Sequence, residues 1–214
     1  MTLIDEVKMK CSVCGKSSLQ PVLMSSNQMG YQDMDTRPSE MYRSTMETWI
    51  LECPHCGYVA SSLDDDLIIS SAYLKSPEYK TCKGIEFKSS LAEKFYKQYL
   101  IENEKFEEID SFFAILHCAW ACDDAKDQEN SKLARKIAIK IVNQLVKSKE
   151  KDITDLIVMK ADLLRRIGEF DQLIKEYKNF RTEEEILNKI IMFQLEKAQE
   201  KDSKCYTLRE VLVE

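Results

Sequence analysis

Two stretches decide how this chain is read: Cys11-Ser12-Val13-Cys14-Gly15 and Cys53-Pro54-His55-Cys56-Gly57. Each sets two thiols three positions apart and follows them with glycine. The glycine takes φ > 0, so the turn closes and backbone N–H groups can point at the sulfurs. Two such turns supply four thiolates, enough to saturate one tetrahedral Zn²⁺. A saturated ion keeps no open position for water or substrate. The site therefore reads as one structural Zn²⁺ with Cys11, Cys14, Cys53 and Cys56 as ligands. His55 lies inside the second turn but is not needed to complete the set. The rival reading is a redox dithiol, but that motif opens a helix in a βαβ unit, whereas strand-like text flanks both turns here.

Working outward, Gln20–Met24 and Glu47–Glu52 carry apolar residues in alternation or short runs, and Tyr58-Val59-Ala60 leaves the second turn. Strand, cysteine turn, strand is the construction of a zinc ribbon. The text between, 27–44, is polar and holds Gly30 and Pro38, so it is expected as a long loop over the ribbon. It contains Asp33, Asp35, Arg37 and Arg43. These charges can form a polar ligand site, or they can pair with one another and pin the loop. Asp64-Asp65-Asp66 is expected to cap a short helix that Pro77 ends.

From Ser89 the apolar period becomes helical. Leu91, Phe95, Tyr99 and Leu100 mark a first stripe, and Ile109, Phe112, Phe113, Leu116, Ala119 and Trp120 a second. Leu133, Ile137, Ile141 and Leu145 mark a third. Two more helices follow, over Ile157–Leu164 and Phe170–Phe180. Thr182, three residues before Glu185, reads as a capping box opening the last. Short connectors make successive helices antiparallel. Ala161, Leu164, Gly168, Phe170 and Tyr177 resemble a tetratricopeptide helical hairpin, with a step of 42 residues back to Ala119 in place of the usual ~34. The fold expected is α+β: a small β zinc ribbon at 8–63, a connecting segment at 64–84, and an all-α tetratricopeptide-like bundle at 85–214.

The two cysteine turns, the text from Arg37-Pro38 through Trp49-Ile50 to Tyr58, and the helical text around Ala119-Trp120 and Leu164-Arg165-Arg166-Ile167-Gly168 resemble the bacterial family known as domain of unknown function 2225. The resemblance runs over nearly the whole chain. It implies a zinc-ribbon-like head on tetratricopeptide-like helices, and it implies no activity.

Composition narrows the function classes. Of 214 residues, 44% are hydrophobic and 32% charged, with a formal net charge of −6. Neither 1–63 (5 basic, 7 acidic) nor 64–214 (26 and 30) is a basic module, which weighs against general nucleic-acid binding. Locally, though, Lys132, Arg135, Lys136, Lys140, Lys147, Lys149 and Lys151 crowd one helix, with Asp155, Asp162 and Glu183–Glu185 as candidate acidic partners. Met1–Glu6 has no basic n-region or long apolar h-region, and the longest apolar run, Phe112–Cys122, is far shorter than the ~20 residues of a membrane span. A cytoplasmic location and no membrane partner are expected. His117, Cys118 and Cys122 share a helix and offer a second metal site, or simply small buried side chains. No hydrolase elbow, phosphate loop, dinucleotide fingerprint or His-Glu-x-x-His appears. The leading function is a non-enzymatic adaptor for a protein or peptide partner. The alternatives are a nucleic-acid-associated factor using the ribbon loop and the 132–151 helix, and an enzyme built on Asp33, Asp35, Arg37 and Arg43.

Overall fold

Strands β1 (Leu3–Lys10) and β2 (Ser17–Ser25) form an antiparallel hairpin whose turn is the first cysteine pair. After the short pair β3 (Gln28–Met29) and β4 (Glu40–Met41), a second hairpin, β5 (Leu51–Glu52) and β6 (Val59–Ala60), turns on the second cysteine pair. Helices follow: α1 (Pro77–Lys80), α2 (Ser90–Glu104), α3 (Glu108–Asp124), α4 (Gln128–Ser148), α5 (Thr154–Ile167), α6 (Phe170–Tyr177), α7 (Glu185–Gln199) and α8 (Arg209–Leu212). This computed structural model describes residues 1–65, 69–148 and 153–212. The expected α+β order, small strands first and helices after, is what the chain adopts. Among the described residues no helix is long and apolar enough to cross a membrane.

Contacts divide the chain into two units. One is Met1–Met29 with Glu40–Ser131; the other is Gly30–Ser39 with Lys132–Glu214. In the first, the buried Gln20 amide donates to the Glu52 carbonyl at 3.2 Å and ties the two hairpins together. Tyr79 donates its hydroxyl to the Gly57 carbonyl at 2.6 Å, which anchors α1 to the second turn. Helices α2 and α3 pack side by side over Phe95, Ile101, Phe112, Ile115 and Leu116, all nearly inaccessible.

Local chemistry corrects several expectations. Glu47–Glu52 is strand only at Leu51–Glu52. Arg43–Thr48 is a 3₁₀ helix, because the Thr45 and Thr48 hydroxyls donate to carbonyls three residues back (2.7 and 2.8 Å) and Trp49 Nε1 donates to Thr45 Oγ1 (2.9 Å). Pro77 opens a helix rather than ending one: Ser76 is its N-cap, accepting from the Tyr79 N–H at 3.2 Å, and proline sits where no helical donor is needed. Asp64 and Asp65 lie in a turn, and Asp66, Leu67 and Ile68 fall outside the described residues. Helix α7 has no capping box. The Asn188 side chain bonds Thr182 reciprocally instead, accepting from its N–H (3.0 Å) and donating to its carbonyl (2.7 Å).

In the second unit, the segment 30–39 is bonded to the chain at 206–208. The Met34 N–H donates to the Tyr206 carbonyl (3.0 Å), the Leu208 N–H to the Gln32 carbonyl (2.9 Å), and Asp33 bridges Thr207 in antiparallel fashion. Helices α5, α6 and α7 pack together. Among them Arg165 is fully buried. It donates to Asp162 Oδ1 (2.6 Å), Gln194 Oε1 (2.5 Å) and the Asp202 and Lys204 carbonyls (3.0 and 2.6 Å), and lies over the Tyr206 ring. The buried seam of α4 is Ala134, Ala138, Ile141, Val142 and Leu145; Leu133, expected in it, is exposed.

Helices α2, α3, α5 and α7 end in one motif. A residue in the left-handed region is followed by one whose N–H reaches back five residues: Glu107 to Glu102, Asp127 to Cys122, Glu169 to Leu164, Asp202 to Lys197. Only α5 uses glycine there, Gly168; the others place Phe106, Lys126 and Lys201 at φ 61°, 54° and 54°. A side chain in that region costs about 1 kcal/mol. Lys201→Gly is therefore expected to raise the unfolding free energy by about 0.5–1 kcal/mol, and Lys201→Val to lower it, in urea titrations of the two variants.

The His117 ring is enclosed by Trp120, Phe95, Trp49 and Phe113, at centroid distances of 4.9, 5.2, 5.5 and 6.5 Å. Its remaining side lines a cleft of about 380 Å³ with Asp65, Glu102, Lys105 and Asp110. Burial pushes its pKa from 6.5 down to about 4. The unfolded chain then takes up this proton at higher pH than the folded one. Stability is lost as pH falls from about 6.5 to about 4, at up to ~1.4 kcal/mol per unit, and levels off below that. Urea unfolding followed by tryptophan fluorescence should show a steeper loss across this window in wild type than in His117→Phe.

Candidate metal centre

Each cysteine turn is built by the same two bonds. In the first, the Gly15 N–H donates to the Cys11 carbonyl (2.8 Å) and the Cys11 N–H to the Lys16 carbonyl (2.9 Å). In the second, the Gly57 N–H donates to the Cys53 carbonyl (2.9 Å) and the Cys53 N–H to the Tyr58 carbonyl (2.8 Å). Gly15 and Gly57 take φ of 70° and 72°, the conformation that closes such a turn cheaply only for glycine. The Ser12 N–H, donating to the Leu63 carbonyl at 2.8 Å, ties the first turn to the chain beyond the second.

The two turns bring Cys11, Cys14, Cys53 and Cys56 into one cluster. Their sulfurs lie 3.6–3.8 Å apart, with Cys11 to Cys56 and Cys14 to Cys53 both at 3.7 Å. A tetrahedral ion at a metal–sulfur distance of ~2.3 Å needs sulfurs ~3.8 Å apart, so the donor set fits such an ion without rearrangement. Cys11 and Cys53 are buried, Cys14 and Cys56 partly so. Burial raises the thiol pKa of Cys11 and of Cys56. The Lys16 N–H directed at Cys14 lowers that one. These sulfur-facing amides follow from the turn geometry and are not visible as residue types. His55 stays outside the cluster, with Nε2 3.4 Å from the Ser17 carbonyl.

The other candidate residues part company. Asp35 is buried with its carboxylate 3.8 Å from Arg135, and accepts from the Arg37 N–H at 3.4 Å. Asp33 closes the same turn through its backbone, donating to the Arg37 carbonyl (2.9 Å) and accepting from the Thr36 N–H (2.9 Å). Arg43 belongs to the first unit and the other three to the second. Arg135, counted in the basic stripe, is almost wholly buried on α4, while Lys132, Lys136, Lys140 and Lys147 are exposed; Lys149 and Lys151 lie outside the described residues. Asp162 is held by Arg165. Cys118 and Cys122 are buried on α3, burial raising the Cys118 thiol. Among the described residues the four-cysteine group is the one with metal-site spacing.

Cys56→Ser removes one of four donors and should leave purified protein with far less bound metal than wild type by elemental analysis. Metal binding displaces thiol protons, so wild type should hold its metal at pH 8 and release it as the solution is acidified.

No curated protein and no solved structure matches the chain. A family model described as "Uncharacterized protein conserved in bacteria" (DUF2225) matches residues 4–203. The cysteine cluster, the strand-then-helix order and that match agree: the chain belongs to the family known as domain of unknown function 2225.

Proposed function

We propose that this protein is a zinc-stabilised, non-enzymatic adaptor whose helical part receives a protein or peptide partner. Zinc is the ion the donor set favours, because four thiolates at tetrahedral spacing suit a soft, redox-inert cation and leave it no reactive position. Its role is to hold the two hairpins in shape. A reducing cytoplasmic setting keeps the thiols in the form that binds it.

The observation that carries the adaptor reading is an open groove of about 440 Å³ in the second unit, along α7 and α8. Met192, Phe193 and Val211 give it an apolar floor; Lys189, Glu196 and Glu210 give it a charged rim. Met192 is 67% exposed. An apolar floor inside a polar rim is how short peptide segments are held. The α5–α6 hairpin, turning on Gly168 with Ala161 fully buried on α5, supports a tetratricopeptide-like character for this part, and such helices commonly present peptide grooves.

Met192→Asp should leave the fold intact, since the side chain is mostly in solvent, yet abolish partner retention. The check is quantitative affinity capture from the native bacterium, wild type against Met192→Asp, with circular dichroism of both. Identical captured sets would remove the groove from the account.

A further inference from the structure

The β1–β2 hairpin has no third strand among the described residues: β2 packs against the 3₁₀ helix Arg43–Thr48, and the outer edge of β1 is unpaired up to Lys10, beyond which the Ser12 N–H is taken by the Leu63 carbonyl. Strand β1 is the barer of the two: every side chain from Leu3 to Lys8 is exposed, and Leu3, Ile4 and Val7 are 56%, 48% and 36% accessible. Open edges of this length ordinarily find a partner strand or carry a block.

Strand β2 carries a block. Pro21 stands opposite Glu6. Proline has no N–H to give, so its nitrogen must face away from β1, toward the outer side of β2. That edge therefore lacks a donor at its centre. The same fact fixes the orientation of β1. Antiparallel pairs alternate between bonded and outward-facing residues. With Glu6 opposite Pro21, the N–H and C=O groups of Ile4, Glu6, Lys8 and Lys10 face outward from β1. The outer edge of β1 is thus an unblocked row of donors and acceptors.

The charges along that edge are complementary to themselves. A second copy pairing antiparallel about a two-fold axis through Val7 sets Glu6 against Lys8 of the second copy, and Lys8 against Glu6 of the second copy. Val7 meets Val7 of the second copy on the axis, and Ile4 meets the stem of Lys10. Sliding the register by two residues one way sets Glu6 against Glu6; sliding it the other way sets Lys8 against Lys8, with Glu6 then opposite Lys10. The register centred on Val7 is the one of these three that faces no like charges, and it is symmetric.

We infer that the outer edge of β1 pairs with the same edge of a second copy of this chain, giving a four-stranded sheet in the order β2-β1-β1-β2. The interface lies in the first unit and does not depend on the groove along α7 and α8.

The test uses the metal-loaded full-length chain in analytical ultracentrifugation over a concentration series, at low and moderate salt. Wild type is expected to show a monomer–dimer equilibrium. Lys8→Glu and Glu6→Lys each turn both cross-strand pairs repulsive and should weaken it about tenfold or more, while the double swap Glu6→Lys with Lys8→Glu restores it. Hydrogen exchange gives a second reading: the Glu6 and Lys8 amides should gain protection as concentration rises, and the Val7 amide, already bonded to β2, should not. A wild type that stays monomeric, a dimer indifferent to Lys8→Glu, or a folded double swap that stays monomeric would each overturn the proposal. A monomeric wild type that binds another protein through β1 would do so in favour of a heterologous strand.

Discussion

Four sulfurs converging on one point are the constraint on which the first unit rests. The strands around them are too few to stand alone: one hairpin of eight and nine residues, and two pairs of two-residue strands. Isolated hairpins are marginal in water. Here both cysteine turns are held to one geometry, by the same pair of backbone bonds and the same glycine conformation. An ion bound there would convert two independent turns into a single rigid corner and close the chain between them.

That corner was legible in the sequence because its signal is local. A cysteine, two residues, a cysteine and a glycine determine a turn irrespective of context. The helices were legible for a related reason: Phe95, Phe112, Leu116 and Leu164 were read from apolar stripes of helical period and are buried. What was not legible depends on partners far away in sequence. Nothing near Arg135 shows that it meets Asp35, a hundred residues earlier, so it read as one of several surface cations. Asp33, Asp35 and Arg37 read chiefly as charges that pin their loop by pairing with one another, and the sequence does not show that a guanidinium so far along the chain stands beside Asp35. Pro77 and Thr182 were misjudged because proline both opens and ends helices, and because Asn188, not Glu185, supplied the reciprocal bonds. The left-handed helix ends at Phe106, Lys126 and Lys201 carry no residue signal at all.

The second unit buries several charged groups with their partners. Arg165 uses its planar fork to satisfy a carboxylate, an amide and two carbonyls at once, which a lysine could not do. Lys160 bonds both Asn143 and Glu176. Removing one partner from such a group strands a charge away from water and costs more than the pair contributes when intact. The helices α4 to α7 are consequently interlocked by polar geometry as well as by their apolar seams.

The path of the chain has a practical consequence. It leaves the first unit at Met29, returns at Glu40 and leaves again at Ser131, so ten residues of the second unit are encoded inside the first. A clone beginning at Lys132 would contain α5, α6, α7 and most of α4, yet it would lack Asp35 for Arg135 and the Met34 backbone for Tyr206. Sequence order thus misleads anyone drawing expression boundaries: the second unit is discontinuous in the gene, and dissecting this protein requires grafting the 30–39 excursion onto it rather than making a single cut near Ser131.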